Sequence, residues 1–190
     1  WGGGAVSRAG RGRTRRRRRG PEESARAEGV FKEAEGRPRI GCSVRAKYER
    51  KNGAAECVAE LMDRLAASHD AFIYVTGAPG DREYIDALLA QCRTARGTNL
   101  AGKTSLMDTA ALAGKSDLFI TLDTGAVHVT GHSGITNLLC LFTCTTPAAV
   151  LASARQARVF WTGEAFCPCA GPCTRGGYGN ATSLTVITLD

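Results

Sequence analysis

From residue 38 onward, compact apolar runs alternate with stretches in which apolar side chains recur every three or four positions. RIGCSV (39–44) has the length and composition of a buried strand. In AAECVAELMDRLAA (54–67), Val58, Leu61, Met62 and Leu65 fall on one face of a helix. AFIYVTG (71–77) is β-branched and aromatic and closes on a glycine, which predicts a strand. GDREYIDALLAQC (80–92) predicts an amphipathic helix with Tyr84, Leu88 and Leu89 inward. Residues 105–114 predict another helix, with Ser105 as its N-cap. SDLFITLD (116–123) predicts a strand, AVHVTGHSG (126–134) a short helix, and TNLLCLF (136–142) and ARVFW (157–161) two further strands. His69 is expected in the solvent-facing loop between the helix at 54–67 and the strand at 71–77. Strands alternating with helices of about ten residues imply parallel βαβ units, hence an α/β fold with helices on both faces of a parallel sheet.

Residues 1–36 break this pattern. They are Gly, Arg, Glu and Ala with almost no large apolar side chains, so they bury too little surface to offset the entropy of ordering. The segment is expected to be a disordered Arg/Gly-rich tail, with the folded domain at 37–190, and its deletion is expected to leave ligand binding intact. The tail also explains the net charge of +7. Residues 1–20 hold eight arginines (Arg8, Arg11, Arg13 and Arg15 to Arg19) and no acid, leaving 17 basic against 18 acidic residues beyond. The folded part is near neutral, which argues against nucleic acid as its partner. RTRRRRRG itself reads either as an arm for nucleic acid or anionic lipid, or as a solvated or spurious extension. No apolar run reaches the length of a membrane span, and no secretory signal is visible at the N-terminus. A cytoplasmic protein is expected.

In open parallel sheets, ligands sit beyond the carboxyl ends of the strands. Three loops there carry polar residues: the one after 39–44 with Ser43, Lys47 and Lys51, GAPGD after 71–77, and Asp123-Thr124-Gly125 after 116–122. In the third, a helix begins at once. Its first turn offers N–H groups and a positive dipole end to a phosphate. Gly125 lets backbone approach a ligand, Thr124 can donate a hydroxyl, and His128 lies one turn further on. The competing reading makes Asp123-Thr124 a helix cap and His128 a surface histidine.

NLAGKTSLMDTAALAGKSDLFITLDTGAVH (99–128) resembles the C-terminal domain of glycosyltransferase family 9, the lipopolysaccharide heptosyltransferases. Gly134, Leu141-Phe142 and Thr145-x-Pro147 continue the pattern. RKNGAAECVAELMDRLA (50–66) resembles the family's Lys-x-Trp-Pro segment and following helix, and YVTGAPGDRE (74–83) its Gly-Gly-x-x-(Asp/Glu) turn. The resemblance covers about residues 38–175. It implies the C-terminal, Rossmann-like half of a GT-B glycosyltransferase that takes a nucleotide diphosphate sugar such as ADP-heptose. By position, Lys51 meets the donor diphosphate, Asp81 the ribose, and Thr104 the nucleotide. Asp123 holds sugar hydroxyls, Thr124 and Gly125 bind the phosphates, and His128 assists; Ser43 and Lys47 are further candidates. No cofactor is implied. The resemblance also implies a saccharide or lipid-linked acceptor, peripheral association with the inner face of the bacterial inner membrane, and a catalytic base in an N-terminal domain outside this stretch. A half-domain that binds a nucleotide sugar without turnover is the alternative.

Several positions depart from the family pattern. Gly53 stands in place of Trp, Thr143 in place of a glycine and Thr146 in place of an Asp. Gly41-Cys42 replaces Pro-Gly, and Gly131-His132 replaces Ala-Ala. In FCPCAGPC, Cys167, Cys169 and Cys173 read as a family-type loop, a metal site one ligand short, or a redox pair. Cys42, Cys57, Cys92, Cys140 and Cys144 sit in apolar segments and read as small buried hydrophobes.

Overall fold

The computed structural model describes residues 20–142 and 157–161. Among these residues, six strands form one sheet: β1 (Arg39–Ser43), β2 (Phe72–Val75), β3 (Gly97–Asn99), β4 (Leu118–Leu122), β5 (Leu138–Phe142) and β6 (Ala157–Trp161). Their order is β3-β2-β1-β4-β5-β6, and every neighbouring pair is parallel. Five α-helices accompany them: α1 (Pro21–Phe31), α2 (Ala55–His69), α3 (Arg82–Gln91), α4 (Leu106–Ala113) and α5 (Gly125–Gly131). This is the doubly wound arrangement in which the chain reverses direction between β1 and β4.

Every residue of β2 and β4 is buried, as in a parallel sheet covered on both faces. Alternate side chains feed two cores. Ile40, Cys42, Ile73, Val75, Leu118 and Ile120 pack with Val58 and Met62 of α2 and Ile85 and Leu88 of α3. Phe72, Tyr74, Phe119, Leu138 and Phe142 point the other way, toward α1, α4 and α5. Gly41 lies on that second face, and a Cβ there would collide with Tyr74 and Phe119 of the flanking strands. The glycine is what lets the two aromatic rings close over β1.

The expected tail is corrected by this face. Residues 1–19 lie outside the described residues, but residues 21–36 are not disordered. α1 and a following 3₁₀ turn (Lys32–Ala34) bury Ala27, Phe31 and Ala34 in the aromatic core. Phe31 meets Tyr74 edge-on at 5.7 Å and Phe72 at 6.5 Å. The Arg39 guanidinium covers the ring from the strand side, 4.6 Å from its centroid. Low average hydropathy hid a short helix in which Ala27, Val30 and Phe31 fall on one stripe. Residues 21–36 therefore belong to the folded domain, and deletion through residue 36 removes core.

Two smaller expectations change as well. The fully buried residues of α3 are Ile85 and Leu88, with Tyr84 and Leu89 half-buried against the same core. His69 is the exposed last residue of α2 rather than a loop residue. The edge strand β3, Gly-Thr-Asn, was not anticipated; it has no apolar alternation to betray it. Ser105 caps α4 as expected.

The loop that leads into β3 is fastened by one carboxylate. Asp63 of α2 accepts hydrogen bonds from the backbone N–H groups of Arg93, Thr94 and Ala95 and from the Thr94 hydroxyl. Desolvation pushes its pKa up, but these donors outweigh it and hold the carboxyl at about 2. A carboxyl lowered in the folded state stabilises above its unfolded pKa of about 3.9, and that contribution is lost as pH falls toward the folded value. Asp63→Asn should therefore cost about 1–2 kcal/mol in urea denaturation at pH 7. The gap to wild type should close between about pH 4 and pH 2; a gap independent of pH would contradict the assigned role.

Candidate functional site

The loop after β1 carries Lys51 on a 3₁₀ turn, Glu49–Lys51. Buried Asn52 folds this loop back on itself. Its Oδ1 accepts from Ala46 N–H at 2.6 Å, and its Nδ2 donates to Ala46 O at 3.3 Å and Glu49 Oε2 at 3.2 Å. Arg45 braces the same loop by pairing with Glu49 at 3.0 Å and stacking on the Tyr84 ring at 4.3 Å. The loop so fixed turns Lys51 toward β4. Lys51 Nζ donates to Asp123 Oδ2 at 2.7 Å and to Asp123 O at 3.1 Å.

This contact joins residues 72 positions apart at the carboxyl ends of β1 and β4, the place where the winding direction reverses. The Asp123 side chain is 6% exposed and the Lys51 side chain 21%. A charge pair this far from water recovers its desolvation cost only through close geometry, and it is weak evidence of stabilisation. Its neighbour Cys140 is a protonated thiol, pushed up to about 12 by burial and then by Asp123.

Asp123 is thus not the helix cap. Thr124 is: its Oγ1 accepts from Ala126 N–H at 3.3 Å at the start of α5. Gly125 follows and is exposed, and a Cβ there would touch nothing within 4 Å. Neither packing nor a left-handed backbone requires a glycine at this position. His128 is exposed on α5, and its carbonyl accepts from the His132 ring Nδ1–H at 2.7 Å.

Asp81 and Thr104 sit on the next two loops of the same sheet edge, after β2 and β3. Asp81 Oδ2 accepts from Ala78 N–H at 2.8 Å, and the Thr104 hydroxyl donates to Leu100 O at 3.4 Å. Gly102 N–H to Gly77 O at 3.1 Å ties the two loops together. The structure therefore joins Lys51 and Asp123 directly, continues into Thr124 and Gly125, and sets Asp81 and Thr104 on neighbouring loops without a direct contact to that pair. Ser43 is buried at the end of β1, 8% exposed, and Lys47 is exposed on the following loop.

Sequence reading missed Asn52 and Arg45, the residues that aim Lys51. Asn52-Gly53 is a turn dipeptide and was the available signal. Among the described residues no cluster of His, Cys, Asp or Glu could hold a metal ion, and no helix is long and apolar enough to cross a membrane. Cys167, Cys169 and Cys173 lie outside the described residues, as do Cys144, Thr143, Thr145, Thr146, Pro147 and the arginines at 8–19.

Among solved structures, the chain is similar to the ADP-heptose lipopolysaccharide heptosyltransferase II of E. coli, with 26% identity and a TM-score of 0.65 over 74% of this chain and 43% of that one. A family 9 glycosyltransferase from Veillonella parvula shows the same fold at 23% identity and a TM-score of 0.65, over 74% of this chain and 40% of that one. The E. coli heptosyltransferase WaaC with ADP shows it at 20% identity and a TM-score of 0.58, over 71% and 42%. The chain thus spans less than half the length of these structures. No curated protein matches it. The model of glycosyltransferase family 9 (heptosyltransferase) matches residues 15–178, α1 included. By fold, by the residues gathered at the β1–β4 crevice and by this match, the chain belongs to glycosyltransferase family 9, the heptosyltransferase family.

Proposed function

We propose that this chain binds the nucleoside diphosphate of a sugar donor, and serves glycosyl transfer of the hexosyl or heptosyl kind in cell-envelope polysaccharide synthesis. The observation that carries the reading is the Lys51–Asp123 pair beside Gly125 at the β1–β4 crevice. Lys51 meets the diphosphate and stabilises the charge that develops as it departs, with the start of α5 adding its dipole. Asp123 gives one oxygen to Lys51 and offers Oδ1 to sugar hydroxyls. Thr124 and Gly125 face the phosphates, and His128 assists there. Asp81 and Thr104 line the nucleoside end. The E. coli relative is named for ADP-heptose, which makes an ADP-heptose-like donor the first to test. The acceptor is a saccharide or lipid-linked saccharide, met at the inner face of the bacterial inner membrane. The general base that deprotonates it belongs to a second domain. Because the chain spans 43% of that relative, donor binding without turnover is the second reading.

Titration calorimetry with ADP-, UDP- and GDP-sugars tests binding, and sugar transfer by the same sample separates the two readings. Gly125→Ala sharpens the test. No packing opposes the methyl, so the melting temperature should not fall, while Kd should rise at least tenfold, about 1.4 kcal/mol. Unchanged affinity would remove Gly125 from the phosphate site.

A further inference from the structure

Arg26 lies on α1, which packs on the opposite face of the sheet from α2 and α3, and a carboxylate connects it to Ser105, the neighbour of Thr104. Its Nε donates to Asp108 Oδ1 at 2.7 Å. The other oxygen of that carboxylate, Oδ2, accepts from Ser105 N–H at 2.9 Å and from the Ser105 hydroxyl at 2.7 Å. Ser105 Oγ in turn accepts from Asp108 N–H at 3.1 Å. One buried carboxylate therefore caps α4 and fixes Ser105, and Arg26 fixes the carboxylate.

Ser105 adjoins Thr104 in the loop between β3 and α4. The upstream part of that loop is pinned to the β2 side by Leu100 N–H to Val75 O at 2.8 Å and Gly102 N–H to Gly77 O at 3.1 Å. Its downstream end rests on Ser105 and Asp108. A capping box needs no arginine. Here the guanidinium supplies a charge-assisted bond to the oxygen that does not cap, so the carboxylate has one orientation rather than two.

We infer that Arg26 is a positioning residue for the nucleoside end of the donor site, acting through Asp108 and Ser105 on Thr104. The inference rests on the donor-binding reading above. It couples α1, the first described helix, to ligand affinity.

Glu28 supplies the control. It lies on the same helix and pairs with Lys115, so it also fastens α1, but it does not touch Asp108 or Ser105. Arg26→Gln and Glu28→Gln should be compared in the whole chain by calorimetry with ADP, UDP and GDP, by thermal melting, and by the backbone amide NMR shifts of Thr104 and Ser105 without ligand. Both variants should lower the melting temperature slightly. Arg26→Gln alone should move the two amides and raise Kd about tenfold, the scale of one charge-assisted hydrogen bond. Equal weakening in both variants would reduce Arg26 to a fastener of α1 and overturn the inference, as would unchanged affinity in Arg26→Gln. Failure of the wild-type chain to bind any of the three nucleotides would instead sink the donor-binding reading itself, and this inference with it.

Discussion

Replacing Phe31 by alanine should cost about 3–5 kcal/mol of folding stability, the range for emptying a buried aromatic site. Phe31 is 6% exposed and is the residue by which α1 enters the core. Its ring packs edge-on against Phe72 and Tyr74, and Tyr74 reaches over Gly41 to Phe119. Truncation removes both aromatic contacts of the Phe31 ring and leaves a cavity against rigid strands. A domain of this size has about 5–15 kcal/mol in total, so the melting temperature should fall by roughly 10–20 °C. Circular dichroism melts check this directly. Removing residues 1–36 should expose Phe72 and Tyr74 and cause aggregation. A loss below about 1 kcal/mol for Phe31→Ala would show that α1 is not docked.

The second large effect is an asymmetry at the Lys51–Asp123 pair. Lys51→Ala leaves a carboxylate that is 6% exposed without its counter-charge, which should cost about 3–5 kcal/mol. Asp123→Ala leaves a lysine on a flexible stem that can swing into water, so it should cost about 1 kcal/mol or less. Both should abolish measurable binding of a nucleotide sugar. For Asp123→Ala the loss of binding should far exceed the loss of stability, and equal losses would favour a purely structural role. The double variant Lys51→Met with Asp123→Leu should regain most of the stability while staying unable to bind, because well-packed apolar residues can replace a buried ion pair. Chemical denaturation and calorimetry on the same samples separate the two quantities.

The central sheet was legible because parallel strands buried on both faces are nearly continuous apolar runs, as FIYV and LFITL are. Helix α4 was legible from Ser105 at its cap. α1 was not, since four apolar residues in a segment rich in Arg, Glu and Gly are invisible to average composition. β3 was not, since three residues on an edge need no apolar pattern. At the site, the loops could be located from strand ends, but local sequence left Asp123 and Thr124 as cap or ligand site without deciding. The structure divides them: Thr124 caps α5, and Asp123 holds Lys51. That division depends on a contact spanning 72 residues, which no local pattern encodes. The family resemblance named both residues but not the bond between them, nor Asn52 and Arg45 behind it.

A backbone amide NMR titration of the whole chain with ADP, followed by UDP and GDP, tests the diphosphate site most directly. Shifts should concentrate in the loops after β1, β2, β3 and β4, strongest at Lys51 and from Asp123 to Gly125, and should vanish in Lys51→Met with Asp123→Leu. Shifts that bypass these residues, or that persist in the double variant, would place any bound nucleotide elsewhere and contradict the site described.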